Sequence, residues 1–225
     1  MNDADNAAGS TCSLRLNRFL AHWFPDYPFL LRQSLRGCRS ILDVGCGGAL
    51  SPLRAVPRLP GQWRTGVDGF LPSLEESRAA SIHDEYIRAD LRSFVAEPGN
   101  REGYDCVLAL DVIEHFPKRE STAFVTALEA IARLRVILFT PNGFLPQEPR
   151  DGNEYQRHLC GWTAPELVRR GYRVYGCGGP KPLRGEFAVP VLRPRIFGAA
   201  VARALQPLVF YFPTEAFALF AVKDT

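Results

Sequence analysis

The sequence lacks the features that mark several well-defined classes of protein. Its six cysteines include no C-x-x-C pair, so a structural zinc site is not expected. The longest apolar stretch, near the C-terminus, is broken by Pro213 and Glu215 and is too short to cross a bilayer. The net charge is only +3, which gives no electrostatic case for a nucleic-acid partner. These absences favour an ordinary globular protein.

The N-terminal segment MNDADNAAGSTCS has neither the basic region nor the apolar region of a secretory signal. The scattered cysteines indicate reduced thiols, and we therefore expect a cytoplasmic protein. Hydrophobic residues make up 46% of the 225 residues, which is enough to fill a core.

Short apolar runs alternate with stretches of helical character from residue 40 onward. The runs lie at 40–46, 63–68, 85–90, 104–112 and 135–141, and helices are expected at about 50–57, 72–81 and 120–133. This alternation predicts an α/β fold, with helices on both faces of a mostly parallel sheet. Further strands are expected at 172–178 and 216–223.

Two segments fall outside this alternation. Residues 1–37 are expected to form a helical cover, in two pieces that meet near Pro25, and residues 38–225 to form one domain. A proline-rich loop and a helix, at about 179–213, form a late insertion in that domain.

The segment ILDVGCGGAL at 41–50 places three glycines within four residues after a strand. Glycine there indicates that a ligand, or another part of the chain, approaches the backbone closely. A nucleotide-binding P-loop would need a lysine that is absent, and the dinucleotide fingerprint would need a small residue where Leu50 stands. A methyltransferase loop and a tight turn without a ligand remain as alternatives.

Acidic residues stand near the ends of three successive strands. These are Asp43, Asp68 and Asp90, and the carboxyl ends of parallel strands meet at one edge of a sheet. We therefore expect these carboxylates to lie near the glycine loop.

The motif DVGCGG resembles motif I of the class I S-adenosylmethionine-dependent methyltransferases, with Ala49 in place of a further glycine. The stretch from His158 to Leu167 is similar to one in ubiquinone-type O-methyltransferases. The resemblance implies a Rossmann-like sheet of seven strands, mostly parallel, with one antiparallel strand near the C-terminus. It also implies S-adenosyl-L-methionine as cofactor, with Asp68 on the ribose hydroxyls and Asp90 on the adenine amino group. The implied cofactor-binding residues are Asp43, Gly45, Cys46, Gly47, Asp68, Gly69, Asp90, Leu91, Leu110 and Asp111.

Methyl transfer to a hydroxyl benefits from a general base with a pKa near neutrality, which makes His115 and His158 the catalytic candidates. Each could instead serve only to hold a loop. Asp111, Glu114, His115 and His158 also loosely resemble the metal set of small-RNA 2′-O-methyltransferases, which leaves a role for Mg²⁺ or Mn²⁺ open. A binding module without activity is the third alternative.

The acceptor is expected to be a small molecule or a lipid- or glycan-linked molecule. Phe144, Leu145, Pro146 and the loop at 179–194 are expected to shape its pocket. In the helix near 194–205, arginines alternate with apolar residues at helical spacing. We expect its apolar side, including Ile196 and Phe197, to pack on the core, and contact with an anionic membrane is the alternative.

Overall fold

A computed structural model describes residues 27–100, 103–149, 152–185 and 188–225. Seven strands form one sheet in the order β3-β2-β1-β4-β5-β7-β6. The strands are β1 Ser40–Val44, β2 Trp63–Asp68, β3 Glu85–Arg88, β4 Tyr104–Leu110, β5 Ala132–Pro141, β6 Arg173–Pro180 and β7 Ala216–Asp224. Strand β7 runs antiparallel to both neighbours, and the pairs among β1 to β5 are parallel. The predicted fold class is confirmed.

Seven α-helices accompany the sheet in the described part of the chain. They are α1 Tyr27–Ser34, α2 Leu71–Ala79, α3 Leu91–Ala96, α4 Lys118–Ile131, α5 Ala164–Arg169, α6 Arg195–Ala204 and α7 Gln206–Tyr211. The helix expected at 50–57 is only a short 3-10 turn at Pro52–Ala55, and α3 and α7 were not expected. The first piece of the expected N-terminal helix lies outside the described residues.

The core consists of two apolar clusters, one on each face of the sheet. Successive strand residues point to opposite faces, so Ile41 belongs to one cluster and Leu42 to the other. The same alternation separates Val107 from Leu108. Because both faces are buried, the part of β4 from Cys106 to Leu110 is continuously apolar, as expected for a parallel strand.

Helices α6 and α7 approach strand β6 almost backbone to backbone. A Cβ atom on Gly179 would lie 2.7 Å from the carbonyl oxygen of Ala202 in α6. Such a close approach admits only small side chains, and the residues that α6 buries are Gly198 and Ala202. The expectation that Ile196 and Phe197 pack on the core is therefore wrong, since they are 85% and 58% exposed.

Within the described ranges, no helix has the length and apolar character needed to cross a membrane.

Candidate functional site

The carboxyl ends of β1 to β4 surround a cavity of about 610 Å³, here called the first cavity. Eight of the residues expected to bind the cofactor line it: Gly45, Gly47, Asp68, Gly69, Asp90, Leu91, Leu110 and Asp111. Parallel strands bring these ends together although the residues span 67 positions of the sequence, from 45 to 111.

The glycine loop is shaped by two positions that disfavour a side chain. Gly45 has a φ of +75°, and a Cβ there would lie 2.5 Å from the side chain of Val112. Gly47 has a φ of +61° with open space around it. Left-handed backbone favours glycine at both, and at Gly45 the neighbouring side chain also excludes anything larger. The loop therefore presents bare backbone to the first cavity.

Asp68 fixes this loop against the end of β2. Its Oδ2 accepts a hydrogen bond from the amide of Gly47 at 2.9 Å, and its Oδ1 accepts one from the amide of Phe70 at 2.8 Å. Burial raises the pKa of Asp68, and the amide donors oppose that rise. Each oxygen keeps a lone pair for a ligand in the cavity, because a carboxylate can accept about four hydrogen bonds.

Asp90 plays two parts at the end of β3. It caps α3, since its Oδ1 accepts from the amide of Ser93 at 3.0 Å, and it also lines the first cavity. The Ser93 amide lowers the pKa of Asp90, which keeps the carboxylate charged.

A second cavity of about 460 Å³ adjoins the first and shares Asp111, His115 and Gln147 with it. Its walls are mostly apolar and include Phe139, Pro141, Leu145, Ala188 and Phe217. Leu145 was expected at the acceptor pocket and lines this cavity. Phe144 and Pro146 were also expected there and are not among the lining residues.

Two polar side chains stand in the walls of the second cavity. The hydroxyl of Tyr27 is buried and has no hydrogen-bond partner among the described residues. Arg184 donates from Nη1 to the carbonyl of Ala188 at 2.7 Å, and burial lowers its pKa. No acidic residue of the described chain forms an ion pair with Arg184, so its charge is available to a ligand.

Glu114, His115 and His158 meet where the two cavities adjoin, and we call them the Glu–His cluster. One ligand atom from each lies within 4.8 Å of the others. The turn that carries the first two, Ile113–His115, follows Asp111, whose φ is +56°. Asp tolerates this left-handed conformation better than most residues, and strain of this kind is concentrated at functional sites.

Backbone hydrogen bonds bring His158 to that turn across more than forty residues. The carbonyl of Glu114 accepts from the amide of Leu159 at 2.8 Å and from the amide of Cys160 at 3.1 Å. The loop and the turn therefore form one hydrogen-bonded unit.

The histidine tautomers follow from two backbone carbonyls. Nδ1 of His115 is 3.1 Å from the carbonyl oxygen of Arg157, and Nδ1 of His158 is 2.7 Å from that of Leu145. A carbonyl only accepts, so Nδ1 of each ring carries a proton, and a ring in its neutral form has its lone pair on Nε2. Burial lowers the pKa of His115 and so favours this neutral form.

Glu114 is 1% exposed, and its two oxygens differ. Oε2 accepts from the hydroxyl of Thr140 at 3.0 Å, whereas Oε1 is buried with no partner among the described residues. Burial raises the pKa of Glu114 to about 7. Burial and the charge of Glu114 also raise the pKa of Asp111, which faces both cavities. The cluster thus offers a carboxylate oxygen and two imidazole nitrogens to a cation.

Comparison with solved structures identifies the fold. The methyltransferase domain of bacterial CtHen1 aligns with a TM-score of 0.53 and 18% identity over 88% of this chain and 97% of that one. A SAM-dependent methyltransferase from Archaeoglobus fulgidus aligns with a TM-score of 0.53 and 14% identity over 92% and 98%. The chain has the class I methyltransferase fold. The resemblance seen in the sequence is confirmed at this level.

Sequence relatives match only part of the chain. A ubiquinone biosynthesis O-methyltransferase of Rhodopseudomonas palustris is 42% identical over 85 residues, which are 36% of this chain and 31% of that protein. A trans-aconitate 2-methyltransferase of Paracidovorax citrulli is 29% identical over 75 residues, 33% of this chain and 29% of that protein. The chain therefore matches less than a third of the length of these relatives. No family model matches it.

Two residues expected to bind the cofactor have side chains outside the cavity of this methyltransferase fold. Asp43 is buried in β1, and its Oδ2 lies 3.0 Å from Nε2 of His83. Cys46 is 2% exposed, and a Cβ on Gly66 would come within 3.0 Å of its sulfur. Strand alternation turns the Asp43 side chain away from the cavity, and neither residue lines it, so cofactor binding by these two residues stays a prediction.

Sequence reasoning also missed the loop that closes the first cavity. Asn153, Tyr155 and Gln156 line it, and Oδ1 of Asn153 accepts from the amide of Tyr155 at 3.1 Å. The Tyr155 ring stands 3.8 Å from where a Cβ on Gly69 would lie. An irregular loop carries no periodic pattern, so the only signal was an aromatic residue in a polar stretch.

Proposed function

We propose that the protein is a methyltransferase that uses S-adenosylmethionine to methylate a hydroxyl oxygen. The cofactor would occupy the first cavity and the acceptor the second. The observation that carries this proposal is the Glu–His cluster, because it places proton-accepting groups where the two cavities adjoin.

The cofactor role of the first cavity is supported by the groups at each strand end. The Asp68 carboxyl has lone pairs for the ribose hydroxyls, and Asp90 has an oxygen for the adenine amino group. The bare backbone at Gly45 and Gly47 would admit the methionine part of the cofactor. Leu91 lines the cavity beside Asp90 and would pack on the adenine ring.

The reaction is an in-line displacement at the methyl carbon of a sulfonium. The acceptor oxygen forms a bond to that carbon while the carbon–sulfur bond breaks, and its electron pair leaves with the sulfur as S-adenosylhomocysteine. The hydroxyl proton passes to a base, and the neutral Nε2 of His115 or His158 has the lone pair to take it. Positioning the two reactants supplies most of the remaining catalysis.

The Glu–His cluster also fits a divalent metal ion. Glu114 contributes a buried oxygen with no partner in the described chain, and each histidine is fixed by a carbonyl at Nδ1, as metal-binding histidines usually are. Glu114, His115 and His158 would hold the ion, and mixed oxygen and nitrogen ligands suit Mn²⁺ better than Mg²⁺. Such an ion would occupy the Nε2 lone pairs, so it would replace the histidine base rather than assist it, and it would lower the pKa of an acceptor hydroxyl.

The second cavity favours an acceptor with an apolar body and an anionic or strongly polar group. The apolar walls would bury the body, while Arg184 and the hydroxyl of Tyr27 would bind the polar group. A small aromatic or lipid-linked hydroxyl compound meets this description.

Calorimetric titration and a turnover assay test the proposal. We expect S-adenosylhomocysteine to bind the purified protein, and cell extract to consume S-adenosylmethionine when it is added. Chelator should reduce that turnover and Mn²⁺ should restore it. His158→Asn should bind S-adenosylhomocysteine normally and lose turnover, because His158 lines only the second cavity. Cofactor binding without any turnover would favour a binding module, and no binding at all would refute the assignment of the first cavity.

A further inference from the structure

The segment that enters α6 exposes large apolar side chains to solvent. Val191 is 56% exposed, Leu192 38%, Ile196 85% and Phe197 58%. These four residues lie within seven positions of the sequence, and we call them the α6 patch. Single exposed apolar residues are common, but a contiguous group of large ones marks an interaction surface.

The α6 patch is not an apolar core face left uncovered. The inward side of α6 is already packed, with Gly198 and Ala202 against its neighbours. Successive helix residues are about 100° apart, so Ile196 and Phe197 point away from Ala202. Large side chains therefore occupy the outward side of a helix whose inward side has only small ones.

Three arginines surround the patch. Arg193, Arg195 and Arg203 are all exposed, and no acidic residue in the described part of the chain forms an ion pair with any of them. Arg203 is seven positions from Ile196, two turns along the same side of the helix. The surface thus combines protruding apolar groups with uncompensated positive charge.

We propose that the α6 patch docks onto an anionic membrane surface. Apolar side chains would enter the interface while the arginines pair with lipid phosphates, which is how interfacial amphipathic helices bind. A second copy of the chain is a poor occupant, because a two-fold contact would place like-charged arginine groups against each other. A negatively charged surface complements both parts of the patch.

A hydrogen bond connects the patch to a segment that lines the second cavity. The amide of Val191 donates to the carbonyl of Leu183 at 3.1 Å, and the next residue, Arg184, lines that cavity. This connection rests on the proposed function, in which the second cavity receives the methyl acceptor. Docking would then bring that cavity close to an acceptor embedded in the lipid. Docking itself does not depend on that function.

Co-sedimentation of the full chain with vesicles tests docking without any assay of activity. We expect binding to vesicles of phosphatidylcholine with phosphatidylglycerol, little binding to phosphatidylcholine alone, and loss of binding at high salt. Replacing all three arginines by glutamine should weaken partitioning on the order of a hundredfold, at about fivefold for each arginine. Ile196→Ser with Phe197→Ser should weaken it on both kinds of vesicle.

Val168→Ser with Arg119→Gln is the matched control, since both residues are exposed on other helices. It should sediment like the wild type. Every variant should keep the wild-type melting temperature. If the wild type binds S-adenosylhomocysteine, every variant should bind it with the same affinity. No binding, or equal binding to both vesicle types, would overturn the proposal. A dimer in light scattering that the patch substitutions dissociate would overturn it in favour of self-association.

Discussion

The pH dependence of stability tests whether burying Glu114 destabilises the protein, separately from its proposed role in binding a metal ion. The fold raises the pKa of this carboxyl from 4.5 to about 7, so it favours the protonated form. In the unfolded chain the carboxyl ionises first as the pH rises, which stabilises the unfolded state. Without a metal, the ionisation of Glu114 therefore lowers the stability of the protein progressively as the pH rises from about 4.5 to about 7. The lost stability is not regained at higher pH.

The magnitude follows from the two pKa values. At about 1.4 kcal/mol per pH unit, the difference corresponds to about 3 kcal/mol lost by pH 8. Glu114→Gln removes the ionisation and keeps the shape. Its free energy of unfolding, relative to that of the wild type, should therefore be about 3 kcal/mol larger, meaning more stable, at pH 8 than at pH 4.5.

Urea unfolding in the presence of chelator, followed by circular dichroism at both pH values, measures this difference. Glu97→Gln is the control, because that side chain is exposed at the end of α3, and it should leave the difference near zero. Adding Mn²⁺ at pH 8 should stabilise the wild type but not Glu114→Gln. The difference between their free energies of unfolding should then narrow or change sign. Equal pH dependence in the wild type and Glu114→Gln would refute the reasoning, since the fold would then not raise the pKa of Glu114.

Three further predictions concern the loop, the cofactor and the metal. Gly45→Ala should destabilise the protein by more than Gly37→Ala in urea unfolding, because both have positive φ and only at Gly45 does a Cβ meet another side chain. Asp68→Asn should raise the Kd for S-adenosylhomocysteine by about tenfold to a hundredfold, the loss of a hydrogen bond to a charged group, as measured by calorimetry. Asp43→Asn should leave that Kd near the wild-type value while lowering stability, since its carboxylate faces a buried histidine. His158→Ala should weaken Mn²⁺ binding at least tenfold in a calorimetric titration, and unchanged binding would remove it from the cluster.

The sequence was enough to predict which residues lie at the same edge of the sheet, because strand order determines that. It was not enough to predict which way an individual side chain points. Asp68 and Asp90 could be placed together because parallel strands end at one edge of the sheet. Asp43 has the same local signal, yet it sits within β1 and alternation turns it away from the cavity. For Ile196, helical spacing identified the apolar side correctly. It could not reveal that glycines of β6 leave room only for small residues on the inward side.

The geometry of the Glu–His cluster depends on contacts between distant parts of the backbone, in addition to strand order and side-chain direction. His158 could be nominated by resemblance, but its ligand nitrogen is selected by the carbonyl of Leu145, a backbone atom thirteen residues away. No local pattern encodes such a contact, because it exists only after the loop has folded.

The loop residues Gln147, Tyr155 and His158 together serve both cavities at once. Tyr155 closes the first cavity, and three residues later His158 completes the cluster beside the second. Opening the loop to release one occupant would therefore draw His158 away from Glu114. If the cofactor and the metal ion both bind only when the loop is closed, binding of one closes the loop for the other. Each should therefore raise the affinity for the other by the same factor. Cofactor exchange and metal retention would then be reciprocally linked, with the order of release set by which occupant holds the loop more weakly.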